Sequence, residues 1–151
     1  MSALALKCVV DASVVIKFFV IESLSEQADA LFAQLAQDPP ARFYVPDLLF
    51  IECANILWKH VRRFGYSADR AQEDVADLRA LALHSVSTAD LIGDALPIAL
   101  AHTISAYDAC YVALAHHLSV PFVTADEALI RKLDGTIYNV QLLGNFAIPP
   151  S

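Results

Sequence analysis

Short apolar runs alternate with longer stretches of helical periodicity along the whole chain, and this alternation limits the fold more than any other feature. Residues 6–10, 42–45, 83–86, 120–124 and 140–143 have the length and the branched or aromatic content of short strands. Residues 12–20, 25–37, 48–63, 67–81, 89–102, 105–118 and 125–133 read as helices. The second helix places Ala28, Leu31, Phe32, Leu35 and Ala36 on one stripe, with Ser25 as its predicted N-cap and Asp38-Pro39-Pro40 as its stop. Asp47 is predicted to cap the third helix and Gly65 to end it. Pro97 predicts a kink or break within residues 89–102. Strands alternating with helices predict a mainly parallel sheet of about five strands covered on both faces. The expectation is a single three-layer α/β/α domain over residues 1–151.

Composition sharpens this. Of the 151 residues 57% are apolar and mean hydropathy is +0.50, which excludes a disordered chain. So much apolar content implies burial on two sides or a hydrophobic partner surface. The uncharged run at 109–125 contains His116, His117, Ser119 and Pro121, so it reads as helix, turn and strand rather than a membrane span. Lys7 and Asp11 interrupt the first apolar run, and no cleavage site for a secretory leader follows. A cytoplasmic protein without membrane contact is expected. Cys8, Cys53 and Cys110 fit no zinc spacing and read as reduced core thiols.

In open α/β sheets, ligands bind beyond the carboxyl ends of the strands. Two predicted strands run into an aspartate there: Val9-Val10-Asp11 and Phe122-Val123-Thr124-Ala125-Asp126. Either alone serves equally well as a helix cap, whereas the pair on one sheet edge is more informative. Glu52 lies in a helix that is apolar nearly all round and therefore predicted to be largely buried. Glu52, Asn55 and Lys59 share one seam of it. That seam is either a solvent-facing stripe with a helical ion pair or a carboxylate aimed into a cleft. Asp108 follows Ser105 in a capping-box spacing, a pattern also present at Ser87-x-x-Asp90 and Thr124-x-x-Glu127.

Four carboxylates brought together would repel one another and take up protons unless a cation compensated. Such a set is poor as structure and good as a cage for a hard divalent ion, Mg²⁺ or Mn²⁺, which suits phosphodiester cleavage. There is no His/Cys zinc spacing and no glycine-rich phosphate loop. The formal net charge of −7 runs against the basic footprint of a nucleic-acid binder, although four acids at a metal site account for part of it. Candidate phosphate contacts are limited to Lys17, Lys59, Arg62, Arg63, Arg131 and Lys132.

The order and wording of Val9-Val10-Asp11-Ala12-Ser13, Pro46-Asp47-Leu48 through Glu52 and Asn55, residues 105–115, and Phe122-Val123-Thr124-Ala125-Asp126-Glu127 resemble PIN-domain ribonucleases. The likeness is strongest to the VapC-like toxins of toxin–antitoxin systems, and it spans nearly the whole chain. It implies a PIN-like fold and an endoribonuclease in which Asp11, Glu52, Asp108 and Asp126 form the acidic cluster. Asp11 and Asp108 would be direct Mg²⁺ or Mn²⁺ ligands, with Glu52 and Asp126 completing the shell directly or through water. Ser13 and Thr124 match polar positions near such sites, and Asn55 is placed to hydrogen-bond an acidic side chain. The resemblance also implies an RNA substrate, a homodimer and an antitoxin whose C-terminal segment covers the cleft. Phe18, Phe19, Trp58, Tyr107 and Tyr111 read as core residues rather than base-stacking ones.

Three rivals share the fold class. A receiver-like module would want a Lys after the last strand, and residues 138–144 have none. A metal-dependent phosphatase would want Asp-x-Asp after the first strand, where Asp11 is followed by Ala12 and Ser13. A non-catalytic PIN-like binding module is disfavoured by the intact four acids.

Overall fold

The structure, a computed structural model, describes residues 4–150. Five strands form one sheet: β1 (Lys7–Val10), β2 (Arg42–Pro46), β3 (Leu83–Val86), β4 (Phe122–Thr124) and β5 (Val140–Leu142). Their order is β3-β2-β1-β4-β5 and every pairing is parallel. The chain leaves β1 in one direction towards β2 and β3 and returns on its other side with β4, so the order reverses between β1 and β4. Ligands of such sheets bind beyond the strand ends at that reversal.

Cys8, Val9 and Val10 are consecutive and wholly buried, which requires cover on both faces of the central strand. Register sorts the two faces. Val9 lies beside Tyr44 and Phe122, while Cys8 lies beside Phe43 and Val10 beside Val123. On the first face α6 (Ala106–Leu118) stacks Tyr111 on Phe122 at 5.5 Å between ring centres, with α5 (Thr88–His102) packed along it. On the second, Phe32 of α2 (Ser25–Ala33) meets Phe43 edge-on at 5.4 Å. The remaining helices are α1 (Ala12–Val15), α3 (Leu48–Phe64), α4 (Ala68–Ala80) and α7 (Glu127–Leu133). The three cysteines are buried and free, as expected. Among the described residues no single helix is long and apolar enough to cross a membrane.

Several local expectations need correction. The helix expected over 12–20 stops after one turn and continues as a 3₁₀ turn, Ile16–Phe18. Ser25 is inside α2 rather than its cap. Leu24 holds the cap position, and the Ser25 hydroxyl braces the preceding loop by accepting from Glu22 N and donating to Val20 O. Asp47 precedes α3 but does not cap it; its carboxylate accepts from Thr88 N at the start of α5, 3.0 Å away. Pro97 does not break α5. The carbonyl it leaves unbonded belongs to Gly93, which is exposed and open to water. The break falls instead at Thr103, which adopts a left-handed conformation, and α5 and α6 meet at 115°.

The largest departure is α3. Only Leu49, Cys53 and Leu57, four residues apart, are buried, whereas Ile51 is 70% exposed, Trp58 55% and Phe64 72%. Apolar composition marks what a helix can bury, but it does not supply a layer to cover it, and α3 has α4 and α1 as its main helical neighbours. Phe18 and Tyr107 are likewise exposed, so of the five aromatics read as core residues Tyr111 alone is fully so, with Phe19 half-buried.

Phe43 lies wholly within the core on β2. Phe43→Ala is expected to lower unfolding free energy by about 3–5 kcal/mol in urea titration, and a loss under about 1 kcal/mol would contradict this packing.

Candidate active site

Asp11 follows the last residue of β1 and is 6% exposed. One carboxylate oxygen, Oδ2, accepts from the Thr124 hydroxyl at 2.6 Å. Its neighbour Oδ1 accepts from the Ser13 hydroxyl and from Val14 N, which makes Asp11 the N-cap of α1 as well. The same two hydroxyls reach onward. Ser13 Oγ accepts from Ala125 N at 3.0 Å and Thr124 Oγ1 from Asp126 N at 3.1 Å. The turn after β1 is thus stitched to the turn after β4. Burial pushes the Asp11 carboxyl up to about 6, against the lowering pull of Ser13, Thr124 and Val14, and the charge of Asp108 adds to the rise.

Asp108 sits in the first turn of α6, where its backbone N–H bonds the Ser105 hydroxyl at 3.0 Å. Partial burial raises its carboxyl, the charge of Asp126 raises it further, and Ser105 and Lys132 pull the other way. Asp126 caps α7 by accepting from Leu129 N at 3.1 Å. Asp108, Asp126, Ser105 and Lys132 line a small cleft of about 70 Å³. Glu52 is half-buried on α3, and its Oε1 accepts from the Tyr111 hydroxyl at 2.7 Å. Burial raises Glu52 as well, with the Asp108 charge adding to it. Burial, aided by the Glu52 charge, holds the Tyr111 phenol protonated.

Asp108 is therefore electrostatic neighbour to the other three acids. Ion pairs among the described residues are Lys17–Glu22 and Arg70–Asp74, and neither involves this set. The donors fit a hard divalent cation: they are all carboxylates, three of them have raised pKa values, and Lys132 is the one cation that lowers any of those three. Among the described residues, however, no three metal-capable side chains are gathered closely enough to hold an ion as they stand.

Ser13 and Thr124 lie against Asp11. Asn55 is exposed, and among the described residues its side chain bonds no acid. The Tyr111–Glu52 bond was missed at the level of sequence. Its only trace there is that Tyr111 falls three residues after Asp108, on the same face of α6.

Residues 8–135 match the family model for the PIN domain. The chain belongs to the PIN-domain family. This PIN domain is 38% identical over 136 residues to Ribonuclease VapC3 of Pyrobaculum aerophilum, covering 87% of the chain and 98% of the relative. A solved protein of Pyrobaculum aerophilum superposes with a TM-score of 0.66 at 21% identity, covering 94% of this chain and 87% of that one. A toxin–antitoxin complex from Klebsiella pneumoniae does so with a TM-score of 0.62 at 13% identity, covering 90% and 97%. The three-layer fold with its all-parallel sheet is that of these PIN-domain structures, and the sequence likeness places the chain among VapC proteins.

The PIN-domain Asp11 has its folded pKa raised from 3.8 to about 6, so between these values the folded chain holds a proton the unfolded chain has lost. Its destabilising effect is therefore absent below the lower value, grows as pH rises between the two and is complete above the upper one. In chelator, lowering pH from 7 to 5 is expected to recover about 1 kcal/mol, read as a few degrees of melting temperature. Asp11→Asn should flatten that dependence; equal slopes for the two chains would refute the assignment.

Proposed function

We propose that this PIN-domain protein is a divalent-metal-dependent endoribonuclease, the toxin of a toxin–antitoxin pair. The observation that carries this reading is Asp108, whose charge bears on both Asp11 and Glu52 while that of Asp126 bears on it. Four acids coupled in this way, at the reversal point of a parallel sheet, make poor structure and a good hold for Mg²⁺ or Mn²⁺. The relative named a ribonuclease supports RNA as the substrate.

In this reading Asp11 and Asp108 hold the cation directly. Glu52 and Asp126 complete its surroundings directly or through water, and one of them orients the attacking water. Thr124 and Ser13 fix both oxygens of Asp11, so its lone pairs are aimed before any ligand arrives. Such a cation offsets phosphate charge and acidifies water. Arg131 on α7, and Lys59, Arg62 and Arg63 on α3, are exposed and available to RNA phosphates, while Lys132 on α7 is exposed with its Nζ donating to Thr103 O at 3.1 Å. Lys17 is engaged with Glu22 at 3.1 Å.

On mixed RNA with Mg²⁺ or Mn²⁺, the chain is expected to shorten the substrate, and chelator, Asp11→Asn or Asp108→Asn to slow this by about 100-fold or more. Asp108→Asn should keep the fold, because the cap bond uses the Asp108 backbone N–H and not its carboxylate. Equal rates in all four arms would remove the mechanism. Absence of turnover with any metal would favour a binding module, and phosphate release from monoesters without RNA shortening would favour a phosphatase.

The partner in this reading is an antitoxin, supported by the likeness to the Klebsiella complex and by an apolar groove of about 500 Å³ between α3 and α4, with Leu57, Trp58 and Val75 in its lining. The homodimer surface is assigned to Ile92, Leu96 and Leu100, an exposed stripe along α5. The cytoplasm, where buried free thiols stay reduced, is the proposed place of action. Co-expressed with the product of a short gene beside its own, the chain should elute as a complex holding two copies of it and leave RNA uncut. A monomer with undiminished cleavage in that mixture would reject both assignments.

A further inference from the structure

We infer that Tyr111 is a positioning residue for Glu52, fixing one carboxylate oxygen so that the other is presented to a divalent cation. The inference rests on the metal-binding reading above and deepens it. Tyr111 is 1% exposed, yet it carries a hydroxyl, and a buried hydroxyl needs a partner. That partner is Glu52 Oε1, 2.7 Å away and 59 positions distant in sequence. The ring is held independently, stacked on Phe122 at 5.5 Å with 12° between planes. Phe122 in turn lies beside Val9, two residues before Asp11. One side chain therefore ties α3 to the same sheet centre that ends in Asp11, from the helix face that carries Asp108.

The chemistry of the donor matters. A Lys or Arg here would neutralise Glu52 and compete with any cation. A phenol donates one hydrogen bond and brings no charge, so Glu52 keeps its negative charge and its Oε2 free. A glutamate on the half-exposed side of α3 otherwise samples many rotamers, and a carboxylate must stop doing so to ligate.

The test is Mn²⁺ binding by the whole chain, followed by the paramagnetic resonance signal of free Mn²⁺, with melting temperature measured in chelator. Tyr111→Phe is expected to bind Mn²⁺ about 10-fold more weakly while keeping its fold. Tyr138→Phe, which removes a hydroxyl elsewhere, should bind as wild type. In a cycle with Glu52→Gln, the Phe substitution should add no further loss, because the hydroxyl acts only through that carboxylate. Additive losses, wild-type affinity in Tyr111→Phe, or a Tyr111→Phe chain unfolded in chelator would each overturn the inference. If Glu52→Gln weakens Mn²⁺ binding and Tyr111→Phe does not, the metal reading survives without it. If wild type binds no Mn²⁺, both fail.

Discussion

The carboxylate of Asp11 is the point on which the molecule turns. It is buried at the end of the middle strand, in a place where an unpaired charge would be intolerable, and its tolerance depends on Thr124, Ser13 and Val14 N. Those bonds do more than satisfy it. β1 and β4 share only the registered pairs Val9–Phe122 and Val10–Val123, a short seam for the centre of a sheet. Beyond the strands, the Asp11–Thr124 and Ser13–Ala125 bonds continue the join, and Thr124 passes it to the amide of Asp126, which caps α7. The groups that close the sheet at its reversal point are the same ones that aim the acids, so site geometry and sheet closure are a single structural fact.

This coupling explains which parts could be read from the sequence. Strand and helix order, the parallel sheet and the placement of Asp11 and Asp126 at one edge follow from local patterns, because burial on both faces leaves unbroken apolar runs such as Cys8-Val9-Val10. What escaped depends on pairs far apart in the chain. Local sequence predicts Asp47 as a cap for its own helix, since it shows the next residues and not Thr88, 41 positions on. Tyr111 is a core residue, as its apolar surroundings in sequence predict, but its hydroxyl belongs to Glu52. The misjudged burial of α3 has a different origin. Its apolar residues surround the helix, and only the outer layer's incompleteness decides that Ile51, Trp58 and Phe64 face outward.

The net charge of −7 is unevenly distributed over the molecule. Arg62 and Arg63 lie in the last turn of α3 and Arg131 and Lys132 in the last turn of α7, where cations also complement the helix dipole. Arg62 further lies over the Trp58 ring at 5.7 Å. Four of the ten positive groups are thus grouped at two helix ends, whereas the acids include Asp69, Glu73, Asp74 and Asp77 along α4, where Arg70 and Arg79 offset half of their charge. Net charge averages over these regions and says little about the field at the sheet edge.

Stability alone gives little reason for the acids to be charged. An amide at position 11 would keep the bonds that Oδ1 accepts from Ser13 and Val14 N and the cap of α1, would lose the acceptor that Oδ2 offers Thr124, and would carry no charge into a buried site. Glu52 could be replaced by an apolar side chain together with Tyr111→Phe, removing a buried polar pair at little loss. The chain instead holds three carboxyls whose pKa values burial and mutual repulsion have raised, a standing opposition to folding. Strain of this kind is concentrated where a parallel sheet binds its ligands, and it is nothing the fold needs for itself.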